Sequence, residues 1–160
     1  MIILGIDPGT AATGYGVIEK TSAKLGFICH GCIRTKANLP ISERLNEIDQ
    51  QLTKIIKKHR PERVAIEDIF FSKNLKTAVA VSQAKGVILA RAARMRIPVI
   101  EFTPLQIKQA VTSYGRADKT QVQKMVKLLL SLKEIPQPDD AADALAAAIC
   151  CANTTSIAGL

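Results

Sequence analysis

The sequence predicts an α/β fold, a mixed five-stranded sheet flanked by helices. Three observations carry that prediction. Three strand-like segments follow one another near the start with short connections, which favours an antiparallel meander. Helical apolar spacing then alternates twice with a short apolar run, the pattern of strands joined by helical crossovers. The remainder of the chain is helical.

The first strand, Ile2-Ile3-Leu4-Gly5-Ile6, is ended by the turn signal Asp7-Pro8-Gly9-Thr10. Gly14-Tyr15-Gly16-Val17-Ile18 gives the second strand, and residues 27–34 the third. Next, Ile41, Leu45, Ile48, Leu52, Ile55 and Ile56 recur at steps of three and four, so one face of a helix is apolar. Pro40 suits its start, and Lys57, Lys58 and His59 suit the negative end of its dipole. Arg63–Glu67 is the fourth strand, made parallel to an earlier one by the helical crossover. A long helix over 75–95 leads to the fifth strand over 98–102. Residues 104–151 are helical, with breaks at Gly115 and between Pro136 and Pro138. No repeat, low-complexity run or linker divides the chain, which reads as a single domain over 1–160.

At 160 residues and 17.3 kDa the chain is long enough to bury a sizeable core. Its apolar runs fall far short of the ~20 residues of a membrane span, so no membrane partner is expected. The start carries neither a basic segment nor a cleavage-site pattern, and the expected location is cytoplasmic. The net charge of +8 is uneven. Residues 1–69 hold 10 basic and 8 acidic side chains, residues 70–127 hold 11 and 2, and residues 128–160 hold 1 and 4. A basic middle beside an acid-bearing end suggests a polyanion held over a cation-binding site.

Cys29-His30-Gly31-Cys32 has the CxxC form, but positions three apart on a strand point to opposite faces. Cys150 and Cys151 are adjacent in an alanine-rich helix. The four read as buried structural thiols rather than as a zinc or redox centre.

The acids are more telling. Asp7 follows an apolar strand directly, and Glu67 repeats the oddity after Val64-Ala65-Ile66. An ionised carboxylate in such a place is costly unless something pairs with it, usually a cation. If the first and fourth strands are neighbours, the two carboxylates meet beyond the carboxyl ends of parallel strands, where such sheets place ligands. Asp140 and Asp143 stand three apart on a helix and share a face. Taken singly, Asp7 reads as a turn residue and Asp140 as a helix cap. Together, four acids in small or apolar surroundings need a neutralising cation. An oxygen-only set fits Mg²⁺.

The segments GIDPGT, TGYGVI, AIEDIFFSKN, QAKG, QIKQAV, ADKTQV and DAADALA, in this order and spacing, resemble the RuvC-type crossover (Holliday) junction resolvases. The similarity runs from Ile3 to Ile149. It implies a ribonuclease H-like fold, and a homodimer that binds four-way junction DNA and nicks two strands of like polarity symmetrically. By the same resemblance Asp7, Glu67, Asp140 and Asp143 match the family's catalytic, metal-binding acids. Phe70 aligns with an aromatic that contacts unpaired bases, and Lys108 and Lys119 align with basic residues near the cleaved phosphate. Recombination and DNA repair are the implied setting, with the RuvA and RuvB branch-migration proteins as implied partners. The chain ends at NTTSIAGL without the basic tail of some relatives, which points to weaker non-specific DNA affinity.

Two Mg²⁺ ions about 4 Å apart, with Mn²⁺ as a substitute, would account for the number of carboxylates. Asp7 is then the bridging ligand, by analogy with two-metal nucleases, and the products carry a 5′ phosphate and a 3′ hydroxyl. Lys108 and Lys119 counter charge on the phosphate. Phe70 precedes the polar Ser72-Lys73-Asn74, where an aromatic stacks on a splayed base for ~1–3 kcal/mol, while Phe71 reads as core. Lys73, Asn74 and Arg116, the last in the turn over 113–118, complete the expected DNA contacts. On the long helix, Ala84 and Gly86 permit close approach of a second helix, so this element is the expected dimer contact. Asp7-Pro8-Gly9-Thr10 also fits the phosphate loop of actin-like ATPases and sugar kinases, but those pair two such domains around a nucleotide. A YqgF-type nuclease shares the fold and the first acid, and the FFSKN and DAADALA segments argue against it. A DNA-binding module without catalysis is disfavoured by the intact acid set, which would repel phosphate.

Overall fold

In the computed structural model, which describes residues 1–68 and 75–157, the first strand of the chain occupies the centre of the sheet. The strands are β1 (Ile2–Asp7), β2 (Ala12–Lys20), β3 (Leu25–Arg34), β4 (Arg63–Glu67) and β5 (Val99–Phe102). They lie in the order β3-β2-β1-β4-β5. The β1–β2 and β2–β3 pairs are antiparallel, and the β1–β4 and β4–β5 pairs are parallel, as predicted for a meander followed by helical crossovers. The helices are α1 (Ile41–His59), α2 (Leu75–Arg94), α3 (Pro104–Thr112), α4 (Lys119–Leu129) and α5 (Asp139–Ile157).

Both faces of the central strands are covered, which is why β1 and β4 read as continuous apolar runs. Leu4, Ile6, Val64 and Ile66 pack against Ile48, Leu52 and Ile56 of α1 and Ala84, Ile88 and Ala92 of α2. Ile3, Ile18, Ala65 and Phe102 pack on the other side against Leu145 and Ile149 of α5, backed by Ile107 of α3 and Val122 of α4. Alternation along each strand therefore assigns every side chain to a layer. Asp7 follows Ile3 and Gly5 onto the α5 face, and Glu67 follows Ala65 onto that face.

The α5 helix sits directly on the sheet. A Cβ at Gly5 would lie 1.9 Å from the Ala144 carbonyl oxygen, and one at Gly14 would lie 2.0 Å from that of Asp140. Alanines at 141, 142, 144, 146, 147 and 148 supply the matching smooth surface, all of them buried. The negligible side chains bring the first turn of α5 down to the level of the ends of β1 and β4.

Some boundaries differ from those predicted. β2 runs from Ala12 to Lys20, longer than the 14–18 of its apolar core, because its polar ends still pair with β1 and β3. The fifth strand starts at Val99 and α2 ends at Arg94. Ala84 is fully buried against the sheet, so it belongs to the core and not to an outward-facing contact.

Candidate active site

Parallel pairing of β1 with β4 runs through Ile6 and Ile66, one residue short of the two acids. Asp7 and Glu67 thus end adjacent strands on the same face. Asp140 and Asp143 approach from the first turns of α5, with Asp140 seated over Gly14, the β2 partner of Asp7.

Crowding of like charge in a partly buried place shows in the acidities. Burial, and then the carboxylates of Asp143, Glu67 and Asp140, push Asp7 up to about 8. Glu67 is raised by burial and next by Asp143, with Lys108 and Lys119 acting against the shift. Asp143 is raised by its burial, against the pull of Lys119. Asp7 is the carboxylate that feels all three others, so it is electrostatically central.

Lys119 supplies the nearest countercharge. Its ammonium lies 3.2 Å from Asp143 and 3.3 Å from Asp139. Burial works against its charge, and Asp143 and Asp139 more than offset that, so its pKa is raised. Its place is set by Asp118, whose side chain and Gln121 form a capping box that starts α4. Thr103 and Gln106 form a second capping box that starts α3 and presents Lys108. Glu67, Lys108, Lys119 and Asp143 line a cavity of about 310 Å³ whose remaining walls are Pro104, Ile107, Val122 and Ala146. An anion entering it meets two lysines, and a cation meets carboxylates.

The donor set suits a hard divalent cation, because three further carboxylates act on Asp7 with neither imidazole nor thiolate needed. The proton that Asp7 keeps at neutral pH is what such a cation would displace. Among the described residues no three acidic, histidine or cysteine side chains are drawn together as a ready-made cage. Instead the Lys119 ammonium bridges Asp139 and Asp143.

Six of the residues singled out from the sequence therefore gather at one place: Asp7, Glu67, Asp140, Asp143, Lys108 and Lys119. Arg116 is exposed in the turn between α3 and α4, outside the cavity wall. Phe70, Lys73 and Asn74 lie outside the described residues, as does Phe71. None of the four cysteines is disulfide-bonded; Cys150 and Cys151 are buried in α5 as expected, whereas Cys29 and Cys32 are only half-buried. Cys29 and Cys32 pair with Val17 and Gly14 of β2 and so face opposite layers, as the strand period requires. Cys32 is on the acid side, raised by burial and then by Asp140. Sequence reasoning missed Asp139 as a partner of Lys119 and both capping boxes. The Thr-x-x-Gln of TPLQ and the Asp-x-x-Gln of DKTQ were the available signals.

Comparison with known proteins adds the following. The family model described as crossover junction endodeoxyribonuclease RuvC matches residues 3–151. A crossover junction endodeoxyribonuclease RuvC from Pelotomaculum thermopropionicum is 55% identical over 150 residues, 94% of this chain and 92% of that protein. The counterpart from Desulforamulus reducens is 56% identical over 159 residues, 99% of this chain and 98% of its own length. Among solved structures, Thermus thermophilus RuvC in complex with a Holliday junction substrate superposes with a TM-score of 0.94 at 35% identity, covering 99% of this chain and 96% of that one. The yeast mitochondrial Holliday junction resolvase Ydc2, at 15% identity and a TM-score of 0.70, shares the fold over 96% of this chain and 78% of its own.

Proposed function

The chain belongs to the RuvC family of crossover junction endodeoxyribonucleases and is an endonuclease that resolves four-way (Holliday) DNA junctions, and from that premise we propose that Asp7, Glu67, Asp140 and Asp143 are its catalytic metal-binding set. One observation carries this reading. Two strand-end carboxylates stand side by side facing two more on α5, and burial together with those neighbours holds Asp7 largely protonated at neutral pH. Mg²⁺, with Mn²⁺ as substitute, bound there would activate water for attack and stabilise the departing 3′ oxygen, leaving a 5′ phosphate.

The protein's own groups do the rest. Asp7, the carboxylate on which the other three act, would give up its proton on holding the cations. Lys119, held beside the site by Asp143 and Asp139, would offer its ammonium to the phosphate once a cation takes over those carboxylates. Lys108 meets the same phosphate from α3. Both neutralise charge that grows on the phosphate oxygens as the bond breaks. Phe70, Lys73, Asn74 and Arg116 are assigned to the junction strands, Phe70 by stacking on an unpaired base.

Symmetric nicking requires two such sites about a two-fold axis, hence a homodimer. The outward face of α2 supports this contact: Val79 is exposed, and Gly86 faces open space. The RuvA and RuvB branch-migration proteins are proposed as partners on family membership. No helix among the described residues is long and apolar enough to cross a membrane.

The decisive test is cleavage of a synthetic four-way junction with Mg²⁺, beside linear duplex of the same sequence, by the parent protein and by Asp7→Asn. Paired nicks in the junction alone, lost in the variant, support the assignment. Nicking that survives Asp7→Asn overturns it.

A further inference from the structure

Glu67 is the last residue of β4, and an ion-paired cluster lies behind that strand end on the opposite face of the sheet. The next residue, Asp68, continues the ladder by one bond, its N–H donating to the Phe102 carbonyl at 2.7 Å. Its side chain, pointing away from Glu67 by the strand period, accepts from the Lys85 ammonium of α2 at 2.8 Å. The same ammonium donates to Glu101 of β5, which is paired with Ile66. The Lys85 side chain is only 12% exposed, and its ammonium is held between two half-exposed carboxylates, one just past the end of β4 and one on β5. Burial alone would lower its pKa, and the bonds from Asp68 and Glu101 more than reverse this.

The last residues of a strand are prone to fraying. We propose that Lys85 is a positioning residue for Glu67: by fixing Asp68 and Glu101 from the α2 side, it holds the β4 end so that Glu67 stays aligned with Asp7. The inference rests on Glu67 belonging to the catalytic set. It also ties the site to α2. The plain alternative is an ion pair that only helps the fold, and rate measured against stability separates the two.

The test uses the full chain as parent, Lys85→Met, Lys85→Arg and Asp68→Asn. Three quantities are read: single-turnover nicking of a four-way junction with saturating Mg²⁺, junction affinity in EDTA, and thermal melting. Lys85→Met is expected to nick at least about tenfold slower, since small misplacements of a reacting group cost that much, while binding the junction within about twofold of the parent. Lys85→Arg, which keeps the charge and the reach, is expected within about threefold of the parental rate. Asp68→Asn is expected to share the loss while melting well above the assay temperature. A parental rate in Lys85→Met or in Asp68→Asn overturns the inference, as does a loss that follows the folded fraction alone. If Lys85→Met does not fold, Asp68→Asn decides by itself. A parent that fails to nick removes the nuclease assignment and this inference with it. A nicking parent beside an equally fast Lys85→Met removes this inference only.

Discussion

Gly14 on β2 lies so close beneath Asp140 that a Cβ there would stand 2.0 Å from the Asp140 carbonyl oxygen. The obstructing atom is helix backbone, which no rotamer change moves aside. Any side chain at 14 must lift the first turn of α5, and Asp140 and Asp143 both ride on that part of the helix.

Gly14→Ala is therefore expected to destabilise the protein by about 1–3 kcal/mol, the usual range for overpacking, and to nick at least about tenfold slower. Gly26→Ala is the control, because its Cβ would meet only Glu19 atoms at 3.8 Å, an ordinary contact. Denaturant melts and junction nicking on both variants check this. Equal behaviour of the two would mean that the helix seat is compliant.

Asp7 makes a prediction about stability as well as rate. In the unfolded chain it ionises near its ordinary 3.8, and in the folded protein burial and the neighbouring acids move it to about 8. As pH rises between those values the unfolded state releases a proton that the folded state keeps, so this group lowers stability progressively over that window. Asp7→Asn abolishes the penalty. In EDTA the variant is expected to melt above the parent at pH 8, with the gap closing toward pH 4. Mg²⁺ reverses the order by binding the folded parent and not the variant. Nicking is lost throughout. A metal-free parent as stable at pH 8 as Asp7→Asn would show that Asp7 is not crowded.

Lys119 competes with a cation for Asp143, and it also serves the phosphate. Those two roles pull measurable quantities in different directions. At pH 9, above the Asp7 value, Lys119→Met is expected to need less Mg²⁺ for half-maximal nicking, because no ammonium at 3.2 Å has to be displaced. Its maximal rate is expected to fall about tenfold or more as the phosphate loses a countercharge. A Mg²⁺ titration of the nicking rate reads both. A rise in the Mg²⁺ requirement would mean that Lys119 supports the cation site instead of competing for it.

What was legible in the sequence and what was not follows from how each residue earns its place. Asp7 and Glu67 stood out because a charge closing a Val/Ile run violates the pattern around it, and the crossover rule then made their strands neighbours. Asp140 and Asp143 declared a shared face through their spacing. The closeness of α5 to the sheet was hidden, because Gly5, Gly14 and Gly16 read only as weak strand residues until Ala144, Asp140 and Leu145 are known to lie over them. Ala84 and Gly86 looked alike as small helix residues, yet one is fully buried in the core and the other exposed. Their helix carries alanines on its inward face (Ala84, Ala92) and on its outward face (Ala90, Ala93), so small residues alone do not tell the two faces apart. Lys85, one lysine among many, carries no mark in sequence of the two carboxylates that enclose it.

Gly86 supplies the last prediction. It stands in the interior of α2, and nothing lies within 4 Å of where its Cβ would be. Glycine in a helix interior costs about 1 kcal/mol relative to alanine, so within a single chain it has no use there. Val79, two turns earlier on the same face, is 57% exposed, and Ala90 and Ala93 continue the face as exposed small residues. A second copy of α2 crossing at Gly86 would account for the glycine and bury the valine. Gly86→Arg is expected to fold as the parent does, since the space is open, yet to sediment as a monomer. Its junction nicks should then appear singly and unpaired, while the four carboxylates keep their arrangement. If Gly86→Arg sediments as the parental dimer, the contact is elsewhere on the chain. If the parent is monomeric at micromolar concentration with junction present, paired nicking must come from two independent encounters, and the homodimer proposal falls.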